Sequence, residues 1–325
     1  MTSIREVAKL AQVSMSTVSR ALNGSGYVAD STREKIQKAV DELDYVPNKW
    51  IRSLYLQKTG IIGVMAPESI HPFFSSLWNC LESEMHENGY NMIVCNTGGE
   101  KEIEREYLDT LERNLFDGMI IGTANLPDEN YMKINKPILS LDRIIPGLPL
   151  VTSDHWQGGC IAAEKLLERG CKNVLQLSAL DDNTVASSQS GLAFAKTMQK
   201  NGAKVITEGF VWQDVINYTR SIHRAREILT AHPDLDGMMV TDLCAAAFLK
   251  TAKEFGISVP GQLKIVAYDG TYITDFNERT ISAIEQDVSL LAKTVIKVLI
   301  ALINNQPLAS NRIYVPVHYK AGDTL

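Results

Sequence analysis

Ile4-Arg5-Glu6-Val7-Ala8-Lys9-Leu10-Ala11, then Gln12-Val13-Ser14, then Met15-Ser16-Thr17-Val18-Ser19-Arg20-Ala21-Leu22-Asn23 decides how this chain begins. Ile4, Val7, Ala8 and Ala11 fall at i, i+3, i+4 and i+7, the stripe of one buried helix face. Gln12-Val13-Ser14 interrupts that helix. A second short helix, from about Met15 to Leu22, turns Val18, Ala21 and Leu22 inward. Asn23-Gly24-Ser25-Gly26 reads as a loop, since Gly and Asn readily leave the helical region. Ser31-Thr32-Arg33-Glu34 has the form of a capping box and opens a third helix with Ile36, Ala39, Val40 and Leu43 on its buried face. Pro47 forbids continuation and suits the first turn of a new short helix, Asn48 to Leu56.

A short helix, a tight turn and a second helix make a helix-turn-helix, which sets the N-terminal residues of the second helix against base edges in the major groove. Those residues are Ser14, Met15, Ser16, Thr17 and, one turn on, Arg20. Hydroxyls bond phosphates or bases, and Arg pairs bidentately with guanine for roughly 1–3 kcal/mol of discrimination. The competing reading is an ordinary three-helix surface. Charge weighs lightly for DNA. Residues 1–60 hold nine Lys/Arg against six Asp/Glu, a net of +3, and the remainder holds 23 against 32, a net of −9. A basic head on an acidic body points to a polyanion partner for the head alone.

From Gly60 the period changes. Short β-rich runs (Ile61–Ala66, Asn91–Asn96, Gly118–Gly122, Pro137–Leu141, Val151–Asp154, Asn173–Ser178, Val205–Val211, Gly237–Thr241, Leu263–Tyr268) alternate with amphipathic stretches of helical length (Phe73–Asn88, Gly158–Arg169, Gly191–Asn201, Thr219–Ala231, Leu243–Phe255, Ser289–Asn304). Such alternation implies parallel sheets with helices on both faces, and some ten strands imply two lobes. The expected fold is therefore a small all-α head on an α/β body of two doubly wound lobes. Domains are expected at 1–46, 47–59 (hinge helix and linker) and 60–325. At 325 residues, 45% hydrophobic and 22% charged, the chain suits two or three folded units. Its apolar runs are too short to span a bilayer, and its N-terminus lacks the apolar stretch of a secretory signal, so no membrane partner and a cytoplasmic location are expected. Cysteines 80, 95, 160, 171 and 244 are odd in number and lack metal or redox spacing, so reduced, mostly buried thiols are expected.

The stretch from Ile4 to Asn23, with Tyr45-Val46-Pro47-Asn48 and Arg52-Ser53-Leu54, resembles the head of the lactose/galactose repressor (LacI/GalR) family. The resemblance extends over the whole chain, because the strand-helix alternation matches that family's two-lobed, periplasmic-binding-protein-like effector domain. It implies a transcription repressor that binds a double-stranded DNA operator as a homodimer and answers to a small-molecule effector, a sugar. In the family the residues matching Met15 and Ser16 vary with operator sequence, while those matching Thr17, Ser19, Arg20 and Asn23 hold the helix on DNA. Asn48 and Leu54 fall in the family's hinge helix, where paired leucines kink the minor groove. The family often has a small residue three before that Leu; here stand Trp50-Ile51. On residues alone, Leu54 also reads as the core leucine of a short linker helix.

Strand ends of open α/β sheets line a ligand crevice. Asp154, Asp242 and Asp269 end strands, Gln286 follows Ser282-Ala283-Ile284-Glu285, and Trp212 follows Glu208-Gly209-Phe210-Val211. Ser69 and Phe73 follow the first strand. Each resembles a ligand contact of the family, with Asp269 foremost; each also reads as a solvated loop residue or a helix cap, Asp242 above all. Where many members carry an Arg, three before Gly191, stands Ser188. That missing cation weakens the case for an acidic or purine ligand and leaves a neutral saccharide. Asp154-His155-Trp156-Gln157 and Tyr268-Asp269-Gly270-Thr271 loosely resemble sucrose-type regulators.

Ligand closure of the lobes is expected to shift the hinge helices, with a coupling of typically 1–3 kcal/mol. The last expected strand, Arg312–Lys320, is followed by no heptad tail, so a tail-made tetramer is not expected. Two rivals are a stand-alone sugar-binding protein, which leaves the head unexplained, and a regulator with a protein or purine co-repressor. No phosphate loop, nucleophile elbow or metal-spaced His pair marks an enzyme, and neither cofactor nor metal is expected.

Overall fold

The structure is a computed structural model that describes residues 3–23, 26–45, 58–65, 70–179 and 185–325, except the side chains at 23, 178, 179, 212 and 213. The helix expected over Asn48 to Leu56, with Asn48, Trp50-Ile51 and Leu54, lies outside the described residues, as does Ser69. The chain divides into two compact units, Met1–Gly60 and Ile61–Leu325.

In the first unit stand α1 (Ile4–Leu10), α2 (Met15–Asn23) and α3 (Asp30–Glu42). Val7, Ala8, Ala11, Val18, Ala21, Ile36 and Ala39 are buried together with Val28 and Tyr45. Those helical stripes find one shared core, which no single helix of this length could supply alone. At the start of α1 the Glu6 carboxylate accepts the Ser3 N–H at 2.7 Å and the Ser3 hydroxyl at 2.9 Å. The cap expected at Ser31 is not formed. The third helix starts at Asp30 behind Ala29, placing Ser31 inside the first turn, where Asp30 already complements the helix dipole. Arg33 donates to the Ala21 carbonyl at 3.2 Å and so ties α3 to α2.

The second unit opens with β1 (Ile61–Met65), α4 (Pro72–Glu87), β2 (Asn91–Cys95), α5 (Lys101–Glu112), β3 (Gly118–Ile121), α6 (Asp128–Met132), β4 (Ile138–Leu141) and β5 (Leu150–Ser153). There follow α7 (His155–Glu168), β6 (Asn173–Ala179), α8 (Ser188–Lys200), β7 (Lys204–Phe210), α9 (Trp212–Ile216), α10 (Tyr218–Ala231), β8 (Gly237–Thr241), α11 (Asp242–Glu254), β9 (Lys264–Asp269) and β10 (Ser282–Gln286). The unit ends with α12 (Val288–Ile303), β11 (Arg312–Val315) and β12 (Val317–Lys320).

Two sheets result. The first runs β11-β5-β4-β3-β1-β2, all parallel. The second runs β12-β10-β9-β8-β6-β7, parallel apart from β12, which is antiparallel to β10. Helices cover both faces, which is why these strands read as nearly continuous apolar runs. On one face of the first sheet Ile62, Val64 and Ile120 pack with Leu77 and Leu81 of α4 and with Leu291, Val295 and Leu299 of α12. On the other, Met65, Met119 and Ile121 meet Leu108 and Leu111 of α5.

The periodicity reading omits α5, and the reason is chemical. Its inner stripe is Glu104, Leu108 and Leu111, and Glu104 is fully buried. The Glu104 carboxylate accepts the Asn125 N–H at 3.0 Å and the Asn125 amide at 3.1 Å. A carboxylate so satisfied occupies a core position that hydrophobic counting cannot see.

The chain crosses between lobes three times, at Asp154, Asp287 and Pro316. The single strand expected over Arg312–Lys320 is two. Pro316 has no N–H to continue a ladder. Val315 before it pairs with Ser153 in the first sheet, and Val317 after it pairs with Gln286 in the second.

Candidate functional site

On the first unit, α2 presents a divided surface. Val18 is fully buried and Ala21 nearly so, while Met15, Ser16 and Arg20 are exposed and Thr17 and Ser19 half-buried. Ser14 precedes the helix, and its hydroxyl accepts the Thr17 N–H at 3.1 Å, the bond of an N-cap. The same oxygen lies 2.7 Å from Ser16 Oγ and 2.8 Å from Thr17 Oγ1. Three hydroxyls thus cluster at the N-terminus of α2, where four helix N–H groups lack helical partners and the dipole favours anions. One turn on, the Arg20 guanidinium completes a face of donors. Asn23 is the last residue of the same helix.

In the second unit a cavity of about 190 Å³ lies at the carboxyl ends of the strands, walled by both lobes. Phe73 and Phe74 of α4, with Thr152 and Ser153 of β5, contribute from the first lobe; Ser188 of α8, Phe210, Tyr268, Asp269 and Gln286 contribute from the second. Asp269 ends β9 with φ +109°, and Gly270 follows with φ +68°. A side chain at 270 would bring a Cβ within 2.5 Å of the Glu285 backbone, so only glycine fits there. The turn holds Asp269 towards the cavity, and Gln286 donates its amide to Asp269 Oδ1 at 2.8 Å. Burial, then the nearby Asp242 charge, push the Asp269 carboxyl well above the ordinary carboxylate range, against the Gln286 bond. Both causes favour the protonated form of Asp269, which donates as well as accepts.

Beside it runs a chain of polar side chains, none of them among the contacts expected from sequence. His155 Nδ1 lies 2.8 Å from the Tyr268 hydroxyl, and His155 Nε2 lies 3.2 Å from Asp142 Oδ1. Asp142 also accepts the Ser187 hydroxyl at 2.7 Å and the Thr152 hydroxyl at 3.1 Å. Burial works to raise the Asp142 carboxyl, but His155, Ser187 and Thr152 outweigh it and hold it below the ordinary value. Tyr268 reaches this chain because Gly158 leaves room: a Cβ there would sit 2.7 Å from the Tyr268 oxygen. Asp142 follows β4 just as Asp154 and Asp242 follow β5 and β8, and that position was the available signal.

Of the residues named from sequence, Phe73, Ser188, Asp269 and Gln286 come together at the cavity. Ser188 turns its hydroxyl onto the Val185 carbonyl at 2.7 Å. Two aspartates do other work. Asp154 caps α7 by accepting the Gln157 N–H at 2.9 Å and does not line the cavity. Asp242 is buried behind the wall and holds the next loop, accepting the Gly270 N–H at 3.1 Å and the Thr271 N–H and hydroxyl at 2.6 Å each. It is not the cap of α11 either, since that helix already includes it. Burial raises its carboxyl to about 6 despite those bonds. Trp212 opens α9, and its side chain lies outside the described residues.

No helix among the described residues is long and apolar enough to cross a membrane. Residues 3–48 match the family of bacterial regulatory proteins, lacI family. Residues 59–322 match the periplasmic binding proteins and sugar binding domain of LacI family. The chain is 34% identical over 330 residues to the ribose operon repressor of Halalkalibacterium halodurans, covering 100% of this chain and 97% of that protein. It is 32% identical over 324 residues to the sucrose operon repressor of Streptococcus mutans, covering 99% of each. The crystal structure of the Lac repressor bound to ONPG in its repressed state shares the fold, with a TM-score of 0.87 at 23% identity over 100% of this chain and 99% of that one. With a helix-turn-helix unit ahead of a two-lobed binding unit, and with both matched along their length, the chain belongs to the LacI family of bacterial regulatory proteins.

Proposed function

We propose that this protein is a cytoplasmic, non-enzymatic transcription repressor that binds an operator through α2 and changes its grip when a sugar occupies the cavity. The observation that carries the reading is the divided surface of α2, whose Ser16 and Arg20 face outward while Val18 and Ala21 are buried. A helix packed on one side and donor-rich on the other is built to lie against an anionic groove. Ser14, Met15, Ser16, Thr17, Ser19, Arg20 and Asn23 are the proposed major-groove residues, and Asn48 and Leu54 the proposed hinge contacts. In the body, Phe73, Ser188, Asp269 and Gln286 are the proposed effector contacts. The sugar assignment is supported by the names of the ribose and sucrose operon repressors to which the chain is similar.

A dimer is part of the proposal. One short helix reading one half-site binds weakly, and two fix the half-site spacing. A solved relative is a Lac repressor dimer bound to operator. Exposed Ile93 and Val94 on the edge strand β2, and Phe276 at 83% exposure, offer apolar surface for a second copy.

The test is selection of duplexes from a random pool by the full-length protein, then fluorescence anisotropy on the enriched sequence with and without sugars. Enrichment of a palindromic site whose affinity shifts with a sugar is expected. Failure to enrich any sequence over a scrambled duplex would overturn the reading.

A further inference from the structure

We infer that the cavity accepts a single unphosphorylated sugar ring and rejects disaccharides and sugar phosphates. This rests on the proposal that the effector is a sugar and narrows it. Size comes first. At about 190 Å³ the space lies below the range of drug-sized sites, roughly 300–1,000 Å³. A cavity of about 150 Å³ holds one benzene ring. One ring with its hydroxyls fills this space, and a second ring joined to it would extend beyond these walls.

Charge comes second. Among the described residues that line the cavity there is no Lys or Arg, while Asp142 and Asp269 face it. Ser188 spends its hydroxyl on the Val185 carbonyl, so that part of the wall is short and neutral. A phosphate here would lose its water, find no Lys or Arg among the described lining residues and meet the Asp142 carboxylate.

The remaining wall suits hydroxyls. Ser153 Oγ is buried in the lining with no hydrogen-bond partner, and a buried polar atom left so is costly until something bonds it. Asp269 and Gln286 offer a carboxyl and an amide alongside it, and Phe73 offers an apolar surface to a sugar's C–H face.

The experiment is isothermal titration of the full-length protein with D-ribose, D-glucose, D-galactose and D-fructose as single rings, against sucrose, D-ribose 5-phosphate and hypoxanthine. The expected result is binding of at least one single ring, on the order of 100-fold or more tighter than sucrose or ribose 5-phosphate. Sucrose or the phosphate as the tightest ligand would overturn the inference and leave the sugar proposal standing. Binding of hypoxanthine alone, or of nothing, would overturn both. In Ser188→Arg, ribose 5-phosphate binding should appear while the fold, checked by circular dichroism, persists. A folded Ser188→Arg protein with no gain for the phosphate would overturn the charge argument.

Discussion

His155 Nε2 stands 3.2 Å from Asp142 Oδ1, and through that contact the first turn of α7 is joined to the loop after β4. The other ring nitrogen meets the Tyr268 hydroxyl at 2.8 Å, so one imidazole bridges the two lobes beside the cavity. The neighbouring backbone runs the same way: the Ala186 N–H donates to the Asp142 carbonyl at 2.7 Å. Interacting pairs in such a network couple by about 0.5–3 kcal/mol. A double-mutant cycle on His155→Phe and Asp142→Asn, read by urea denaturation, should return a coupling in that range. Strict additivity of the two changes would mean the contact contributes nothing to holding the lobes together.

The surroundings of Asp269 favour its protonated form, so its replacement should sort by hydrogen bonding and not by charge. Asp269→Asn keeps an acceptor and a donor, and effector affinity should stay within about tenfold of the parent. Asp269→Ala leaves ligand hydroxyls unpaired in a desolvated wall, costing about 1–3 kcal/mol. Operator binding without effector should be unchanged in both. Titration calorimetry settles the order, and an Asn variant as weak as the Ala variant would show that the site uses a charged carboxylate.

Buried His71 supplies a pH dependence. Burial lowers its pKa from the ordinary 6.5 to about 4. Between those values the unfolded chain binds the proton and the folded chain does not, so stability falls as the pH falls through that window. The loss from this residue is about 3 kcal/mol, complete near pH 4. His71→Asn should remove it: the stability gap between parent and variant should shrink on acidification from pH 7 to pH 4. Parallel stability curves for the two proteins would contradict the shift.

What the sequence disclosed and what it hid divide along range. The stripes of α1, α2 and α3 and the apolar runs of β3, β4 and β5 are local patterns, and local periodicity found them. The strand-end rule led to Asp269 because the Tyr268-Asp269-Gly270 turn is itself local. It could not separate Asp269 from Asp154, whose carboxylate is used three residues away. Nor could it foresee Asp242, whose partners Gly270 and Thr271 lie far along the chain. The split of the last strand at Pro316 depends on which sheet each half meets. Asp142 and His155 come together only after the lobes do.

Ser14 offers a test that separates shape from charge. Its hydroxyl caps α2, and Ser14→Ala should cost about 1 kcal/mol of stability in the first unit. Ser14→Asp restores a cap acceptor and should recover that stability. On DNA the Asp carboxylate faces phosphates at the same helix end, so operator affinity should remain low while the melting temperature recovers. Recovery of both together would move Ser14 away from the DNA.

Arg20 is exposed on the outer face of α2, one turn beyond the hydroxyl cluster. If it pairs with a base, Arg20→Ala should weaken specific binding by roughly 1–3 kcal/mol and relax preference at one position of each half-site. If it meets only phosphate, the loss should fall equally on all sequences, and the slope of log affinity against log salt should drop by about one. Anisotropy at several salt concentrations, on the selected site and on single-base variants of it, distinguishes the two. Effector binding lies in the other unit and should be untouched. Since Arg20 shares its helix face with Ser16, base readout is the expected result, and an unchanged footprint in Arg20→Ala would remove α2 from the groove.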